Sequence, residues 1–409
     1  METAMRVERK LTPYDRATSP YLEVPFEVRP GTPSVEVRLA YDRARGVVDL
    51  GCLGAAGFRG WSGGARSRFV IAADSATPGY LPGELEPGVW SVVLGLHRVP
   101  ADGADVVVEI DVPATGPAEM EPAPPPAPQR PPRRPLPADA GLTWVACDFH
   151  AHTLHSDGSL GRAQLAALAA EVGLDVLAVT DHNTVSHHDG LGKIGAGYGV
   201  TLVPGQEVTT DRGHANAFGE IPWVDFRKPP QTWVSHVAEH GGLLSINHPL
   251  AADCAWHHVL TQHPPLAEIW HWTWLDTRWS GPLAWWNAWG WDTIPIGGSD
   301  FHSPEQGRAL GVPVTWVAVE WSPSDGVTPP FELVLDGLRA GRTAVAQRRD
   351  APVLLRVDDE FVALGADGTV LVDVEGRRRV VRGEVARFPA APGPHRLETP
   401  DAAVVAITG

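Results

Sequence analysis

Cysteine is scarce in this chain: Cys52, Cys147 and Cys254 are the only three in 409 residues, far apart and without a CxxC spacing. A set so small and odd in number suggests neither a disulfide framework nor a thiolate zinc site, and a reducing, cytoplasmic setting is the expectation. Positive charge is short as well. Lys and Arg total 33 against 49 Asp and Glu, a formal charge of -16, which opposes long-range attraction to nucleic acid or anionic lipid. No stable nucleic-acid binding is expected. The chain has no uninterrupted apolar run of about 18 residues and no apolar leader core near Met1, so neither a membrane span nor a secretory signal is expected.

What is present describes a globular protein, 43% apolar and 20% charged, long enough for two or three domains. Short alternating runs at Leu22 to Val28, Val35 to Tyr41, Arg68 to Ala72, Val89 to Leu96 and Asp105 to Val112 predict strands, and their Gly and Pro punctuation predicts a β-sandwich over 1–115. Gly60-Trp61-Ser62-Gly63-Gly64 lacks the Lys and following helix of a phosphate loop and reads as a turn. Ten prolines between Pro117 and Pro137 predict an extended linker over 116–140. Over 141–345, apolar runs at Trp144 to Phe149, Asp175 to Thr180, Thr201 to Pro204, Leu243 to Asn247, Leu266 to Trp270 and Thr293 to Ile296 alternate with helical stretches such as Ser159 to Val172, with Ser159 as its cap. This is the pattern of an α/β fold with a mainly parallel sheet, open or closed into a barrel. Residues 346–409 turn strand-like and predict a small β appendage.

Histidine is concentrated where the α/β pattern runs. Fifteen of the 17 lie between His150 and His302, which raises the expectation of a metal site there. Asp148-Phe149-His150-Ala151-His152 follows an apolar run, and residues two apart on a strand share a side. Ser156-Asp157-Gly158 places a carboxylate on the next turn, and Thr180-Asp181-His182-Asn183 ends a second strand. Pro204-Gly205-Gln206-Glu207 is followed by His214, Asn247-His248-Pro249 ends another apolar run, and Gly297-Gly298-Ser299-Asp300-Phe301-His302 repeats the i, i+2 spacing. Each segment alone is weak. Together they put a His or carboxylate at or beyond a strand's carboxyl end six times, which is where barrel enzymes collect catalytic groups.

In this order the segments resemble the HxH, SDG, TDHN, GxE, NHP and SDxH elements of the PHP (polymerase and histidinol phosphatase) metallohydrolase superfamily. The leading β domain and Leu310-Gly311-Val312-Pro313 after the last segment resemble its carbaryl-hydrolase-type subgroup. The resemblance spans about 144–345 and implies a distorted (β/α)7 barrel with two or three divalent ions. A first ion would take His150, His152, Glu207 and Asp300; a second, the bridging Glu207 with His214 and His248; a third, Asp157, His182 and His302. Many members carry His where Asp157 stands, so the third position is altered here. Catalysis would be carried by Glu207, Asp300 and His302 at these ions.

Nitrogen and oxygen ligands without Cys suit Zn, Mn or Fe. Three ions with three carboxylates and a hydroxide leave roughly +2, suited to a phosphate ester, and two ions leave roughly +1, suited to a neutral carbamate, ester or amide. The expectation is therefore a metal-dependent hydrolase using metal-activated hydroxide, of phosphoesterase type on small or short-oligonucleotide substrates. The alternatives are hydrolysis of neutral carbamate, ester or amide bonds, and a metal-stabilised binding module without turnover, which would show lost ligands. Asp148, Asp181 and Asn247 are expected to accept from the ligating imidazoles, with a helix cap as the other reading of Asp181.

Nine of 16 tryptophans fall between Trp256 and Trp291, mostly packing residues. Alternation would put Trp270, Trp272 and Trp274 on one face, as walls for a flat substrate. His271 is a candidate proton donor, and Arg212, Arg278 and Arg308 are candidate phosphate contacts. His155 reads as a solvated loop residue, and the pairs His187-His188 and His257-His258 as surface or substrate-contact positions. The partner expected is a small-molecule substrate; the sequence says nothing of oligomeric state. Glu207→Gln is expected to abolish turnover and loosen at least one ion, and unchanged kinetics with unchanged metal content would remove the bridging role.

Overall fold

A computed structural model describes residues 3–409. The chain divides into two compact units: Met1–Ala123 with Thr153–Asp157 and Asp181–Asp189, and the remainder.

In the first unit, two four-stranded antiparallel sheets enclose one apolar core. One runs in the order Thr3–Leu11, Ala104–Val112, Ser34–Ala40, Arg68–Ala72; the other Tyr21–Val28, Gly88–Arg98, Val47–Gly54, Gly57–Gly63. Alternation puts Val35, Val37 and Leu39 inside from one sheet and Val24, Phe26 and Val28 from the other, with Trp90 buried between them. The glycine-rich segment expected to turn at Gly60 is part of the strand Gly57–Gly63. Its conformation follows from packing: Trp61 lies so close over Gly51 that a Cβ there would sit 2.3 Å from the indole.

Two loops distant in sequence fold with these sheets. The Arg66 guanidinium donates to the Leu154 carbonyl at 2.5 Å and the Ser156 carbonyl at 3.0 Å. The Gly79 N–H reaches Ser186 Oγ at 3.1 Å, and the Thr184 hydroxyl donates to the Gly79 carbonyl at 2.9 Å.

The second unit is built on a long mixed sheet. Thr143–Asp148, Val176–Val179 and Thr201–Thr210 are parallel neighbours; Gly213–Phe218 returns antiparallel and pairs with Leu243–Ile246, after which Leu266–His271 and Ile294–Gly298 are again parallel. Helices Arg162–Glu171, Leu191–Tyr198, Pro230–Glu239, Gly281–Trp289 and Phe331–Arg339 alternate with strands. Strand Thr143–Asp148 is buried on both faces, Trp144 and Ala146 against one apolar cluster and Val145 and Cys147 against another. Continuous apolar runs rather than alternation follow from that burial. The sheet curls: Ala151 bridges Phe301 in parallel, and the His152 N–H donates to the Phe301 carbonyl at 2.9 Å. The ends of Thr143–Asp148 and Ile294–Gly298 are thereby neighbours.

Three expectations are corrected. The helix expected from Ser159 begins at Arg162 with Gly161 as its cap, the Gly161 N–H donating to Gln164 Oε1 at 2.9 Å. The C-terminal segment is no separate appendage: Val404–Thr408 is buried throughout and pairs with Thr343–Ala346, continuing the main sheet. The proline tract is no free spacer either. Its prolines lack N–H donors, and its arginines supply them: Arg130 and Arg133 reach Asp175 Oδ1 at 2.9 and 2.8 Å, and Arg134 donates to the Ala351 carbonyl at 2.7 Å. Asp175 is 3% exposed and also accepts the Ala146 N–H at 3.0 Å. Asp175→Ala is expected to cost roughly 2–4 kcal/mol, less than a fully buried pair because Arg133 is 32% exposed. Chemical denaturation checks this; an unmoved midpoint would mean the strap contributes nothing.

Candidate metal centre

Five strands of the second unit deliver the site. His150 and His152 follow Thr143–Asp148 and are both fully buried. Glu207 lies within Thr201–Thr210, paired across the hairpin beside His214, and is also fully buried. His248 and Asp300 follow their strands in left-handed backbone conformation, at φ 26° and 50°. Non-glycine residues in this region store strain of order 1–3 kcal/mol, which the surrounding contacts must offset.

The side chains of these residues approach one another. His150 Nε2 lies 3.2 Å from Glu207 Oε1 and 3.3 Å from Asp300 Oδ1. His152 Nε2 is 3.0 Å from Asp300 Oδ1 and 3.7 Å from Glu207 Oε2. On the other side, His214 Nδ1 and His248 Nε2 approach Glu207 Oε1 at 3.1 and 3.4 Å. One carboxylate thus faces both halves of the cluster, as a bridging ligand must. The His302 ring stacks on His152 at 4.2 Å, and its Nδ1–H donates to the Asp300 carbonyl at 2.8 Å, which leaves the lone pair of the neutral ring on Nε2. Asp157 and His182, expected with His302 at one ion, lie in the first unit, 3.5 Å apart.

Protonation tests whether a cation fits. His150 Nδ1 is 3.2 Å from Glu268 Oε1, and a carboxylate oxygen only accepts, so Nδ1 carries the hydrogen. Nε2 of the neutral ring is then a lone pair, buried and without a hydrogen-bond donor, facing two carboxylates. Three electron-rich groups around one point demand a proton or a metal ion. Without a metal, burial works against charging His150, yet Glu207, Asp300 and Glu268 outweigh it and push the ring well above 6.5. His248 is likewise pushed up to about 10, burial being outweighed by Cys254, Glu207 and Glu268. Burial also opposes ionisation of Asp300, but the neighbouring histidines hold it well below 3.8.

The supporting residues differ from expectation. Asp148 accepts no imidazole N–H; it receives the backbone N–H groups of His150, Ser299 and Gly311 at 3.2, 3.0 and 2.8 Å, tying two strand ends together. Burial pushes it up to about 6 despite these bonds. Asn247 donates to Glu207 Oε1 at 2.8 Å rather than accepting from a ring. The imidazole acceptor is Glu268, which also takes the His248 N–H at 2.9 Å. Sequence reasoning passed over it because Leu266–His271 reads as an apolar strand. Gly298 makes room for it: a Cβ there would meet Glu268 Oε1 at 2.3 Å and His150 Cβ at 2.5 Å. Asp181 is neither cap nor ring acceptor alone, binding Thr153, Ser156 and His187 within the first unit.

Cys254, set aside with the other cysteines, places Sγ 3.4 Å from His248 Nδ1, on the opposite side of the ring from Glu207. His155 is not solvated: it is 6% exposed and lies between Ser186 Oγ at 2.8 Å and Glu121 Oε1 at 3.0 Å. His187 is fully buried, whereas His257 is exposed. The expected face of Trp270, Trp272 and Trp274 does not form, because the strand ends at His271 and the chain turns, Trp274 N–H to His271 carbonyl. Trp270 and Trp274 pack together in the interior at 5.0 Å, while Trp272 donates to Asp300 Oδ2 at 3.3 Å. Of the arginines, Arg212 is exposed and donates to the His257 carbonyl, Arg278 pairs with Asp276 at the surface, and Arg308 comes within 3.9 Å of Asp300 Oδ2.

No protein-family model matches the chain. An uncharacterised protein of Methanocaldococcus jannaschii is 26% identical over 121 residues, 27% of this chain and 71% of that protein. A solved two-domain protein from Bacteroides vulgatus, whose name gives it a predicted PHP-like metal-dependent phosphoesterase, is similar with a TM-score of 0.43 and 17% identity, over 69% of this chain and 99% of its own. An amidohydrolase from Chromobacterium violaceum is similar with a TM-score of 0.29 and 15% identity, over 50% of this chain and 98% of its own. Chemistry is therefore argued from the site residues.

Metal uptake is expected to release protons at pH 7.5, because His150 and His248 are both protonated there without metal and each must lose a ring proton before its nitrogen can bind an ion. Affinity should accordingly rise with pH towards about 10, the His248 value. Calorimetry in buffers of different ionisation enthalpy reads the proton count, and a count of zero would contradict the ligand assignment.

Proposed function

We propose that this chain is a metal-dependent hydrolase of the PHP type, its curled sheet serving as a distorted (β/α)7 barrel, with a small-molecule or short-oligonucleotide phosphate ester as substrate. The observation that carries the reading is the His150 ring, whose Nδ1 is taken by Glu268 and whose Nε2 is buried 3.2 Å from Glu207 and 3.3 Å from Asp300 without a hydrogen-bond partner among the described residues. That arrangement is costly unless a cation shares it. His150, His152, Glu207 and Asp300 are the ligands for one ion, and Glu207, His214 and His248 for a second; the donor set suits Zn, Mn or Fe. When bound, such ions supply Lewis acidity towards a phosphoryl or carbonyl oxygen and bring the pKa of coordinated water towards neutrality.

The protein's own part is to hold those donors. Glu207 presents Oε1 to His150, His214 and His248 and Oε2 to His152. Asn247 fixes its rotamer through Oε1. Asp300 gives Oδ1 to His150 and His152. Arg308, 27% exposed and 3.9 Å from Asp300 Oδ2, is a cation beside the cluster and favours an anionic substrate. A second reading, hydrolysis of a neutral carbamate, ester or amide, is favoured by the half-buried Trp272 indole at the same carboxylate. A binding module without turnover would have lost ligands, and His150, His152, Glu207, His214, His248 and Asp300 are all present.

Metal analysis of the purified protein, followed by a panel of nitrophenyl phosphates, phosphodiesters, esters and carbamates, tests the reading. Turnover of phosphate compounds that chelation removes and Zn, Mn or Fe restores is expected. Turnover of the neutral compounds alone would replace the phosphoesterase reading with the second, and metal binding without any turnover would support the binding module.

A further inference from the structure

Asp300 uses its two carboxylate oxygens differently. Oδ1 faces the cluster, 3.0 Å from His152 Nε2 and 3.3 Å from His150 Nε2. Oδ2 faces three groups outside the motif set: Trp272 Nε1 at 3.3 Å, His271 Nε2 at 3.4 Å and the Arg308 guanidinium at 3.9 Å.

His271 invites assignment as a further metal ligand, since its ring is grouped with those of His150 and His248 and with Glu268. Its hydrogen bonds argue otherwise. His271 Nδ1 lies 2.8 Å from the Thr273 hydroxyl, which can donate or accept, and 3.3 Å from the Thr273 backbone N–H, which can only donate; both contacts are met with Nδ1 as the acceptor and the hydrogen of the neutral ring on Nε2. That N–H faces Asp300 Oδ2 at 3.4 Å without completing a hydrogen bond, a polar contact beside the Trp272 donor. Glu268 is also engaged, its two oxygens taken by the His150 ring and the His248 N–H. Trp272 has only a donor to offer. Arg308 stacks over the Trp272 ring, 3.4 Å from its centroid, which fixes the indole plane and keeps the guanidinium beside the same carboxylate.

We propose that Trp272, hydrogen-bonded to Asp300 Oδ2 and flanked there by the polar edges of His271 and Arg308, forms a clamp that restricts this ligand to one oxygen, Oδ1, towards the metal. The clamp rests on the metal-site reading above. A carboxylate with both oxygens free can chelate a single ion, raising its coordination number and removing an open position; with Oδ2 held by the Trp272 N–H, chelation is disfavoured because it must break or share that bond. His271 and Trp272 are thus positioning residues. His271 ends Leu266–His271 and Trp272 follows it, while Asp300 follows Ile294–Gly298, its parallel neighbour, so the clamp ties adjacent strand ends together.

The test uses the full chain loaded with cobalt(II), whose visible absorption weakens as coordination number rises. Trp272→Phe keeps a ring for Arg308 to stack on while removing the donor, and His271→Ala removes the second donor; His271→Asn restores a side-chain N–H. The double variant Trp272→Phe/His271→Ala is expected to bind cobalt some 10–100-fold more weakly in chelator competition and to lose visible intensity, with the Trp272→Phe/His271→Asn variant recovering part of both. Should the double variant fail to fold, Trp272→Phe alone carries the comparison. Unchanged affinity and spectrum beside a normally loaded parent protein would overturn the clamp alone. A parent protein that takes up no cobalt, zinc, manganese or iron would overturn the hydrolase reading, and the clamp with it.

Discussion

The enclosure of Glu207 governs the second unit. A fully buried carboxylate ringed by His150, His152, His214 and His248 is stable only while positive charge is shared among them. With Asp300 and Glu268 adding negative charge nearby, imidazoles in such company retain protons far above their ordinary range. The cluster is a standing demand for cations, and a divalent ion answers it more completely than a proton because it also accepts the lone pairs of the neutral rings.

Meeting that demand requires rigid delivery. Asp148 receives three backbone N–H groups and so locks the end of Thr143–Asp148 against the Ser299 and Gly311 amides. Glu268 ties a side chain at one strand end to the backbone at another, His150 to His248. Left-handed backbone at His248 and Asp300 fits this picture, since strained conformations persist only where surrounding bonds over-determine them. Much of the polar machinery therefore serves geometry, and few of its members face the reacting centre.

Legibility in the sequence followed the same division. The clustered histidines and carboxylates were readable because a histidine or carboxylate past an apolar run has a place in an α/β sheet, and the i, i+2 spacing of His150 and His152 needs only strand geometry. The supporting residues were not. Glu268 sits inside an apolar run whose burial on both faces erased the alternation that would have marked it. Asp148 was assigned to a ring when backbone amides were the nearer claim. His155 was read as solvated and His187 as a surface or substrate-contact position because nothing in their neighbourhood announces the N-terminal residues that meet this loop, Gly79 at the His155 ring and Arg66 at the Leu154 carbonyl. Trp270, Trp272 and Trp274 were extrapolated along a strand that stops at His271. Long-range partners decided each of these positions, and local pattern carries no record of them.

The loops Thr153–Asp157 and Asp181–Asp189 belong with the N-terminal sheets, although they are encoded within the α/β portion of the chain. Cutting the gene at the proline tract would consequently not yield two self-sufficient products: the downstream piece would carry Asp157 and His182 on segments deprived of Arg66 and Gly79. Grafting a foreign leader onto it would alter the scaffold beneath a candidate carboxylate and imidazole at a stroke. Divergence among descendants of such an architecture should therefore show paired changes on both sides of the tract, since neither side can drift freely without the other.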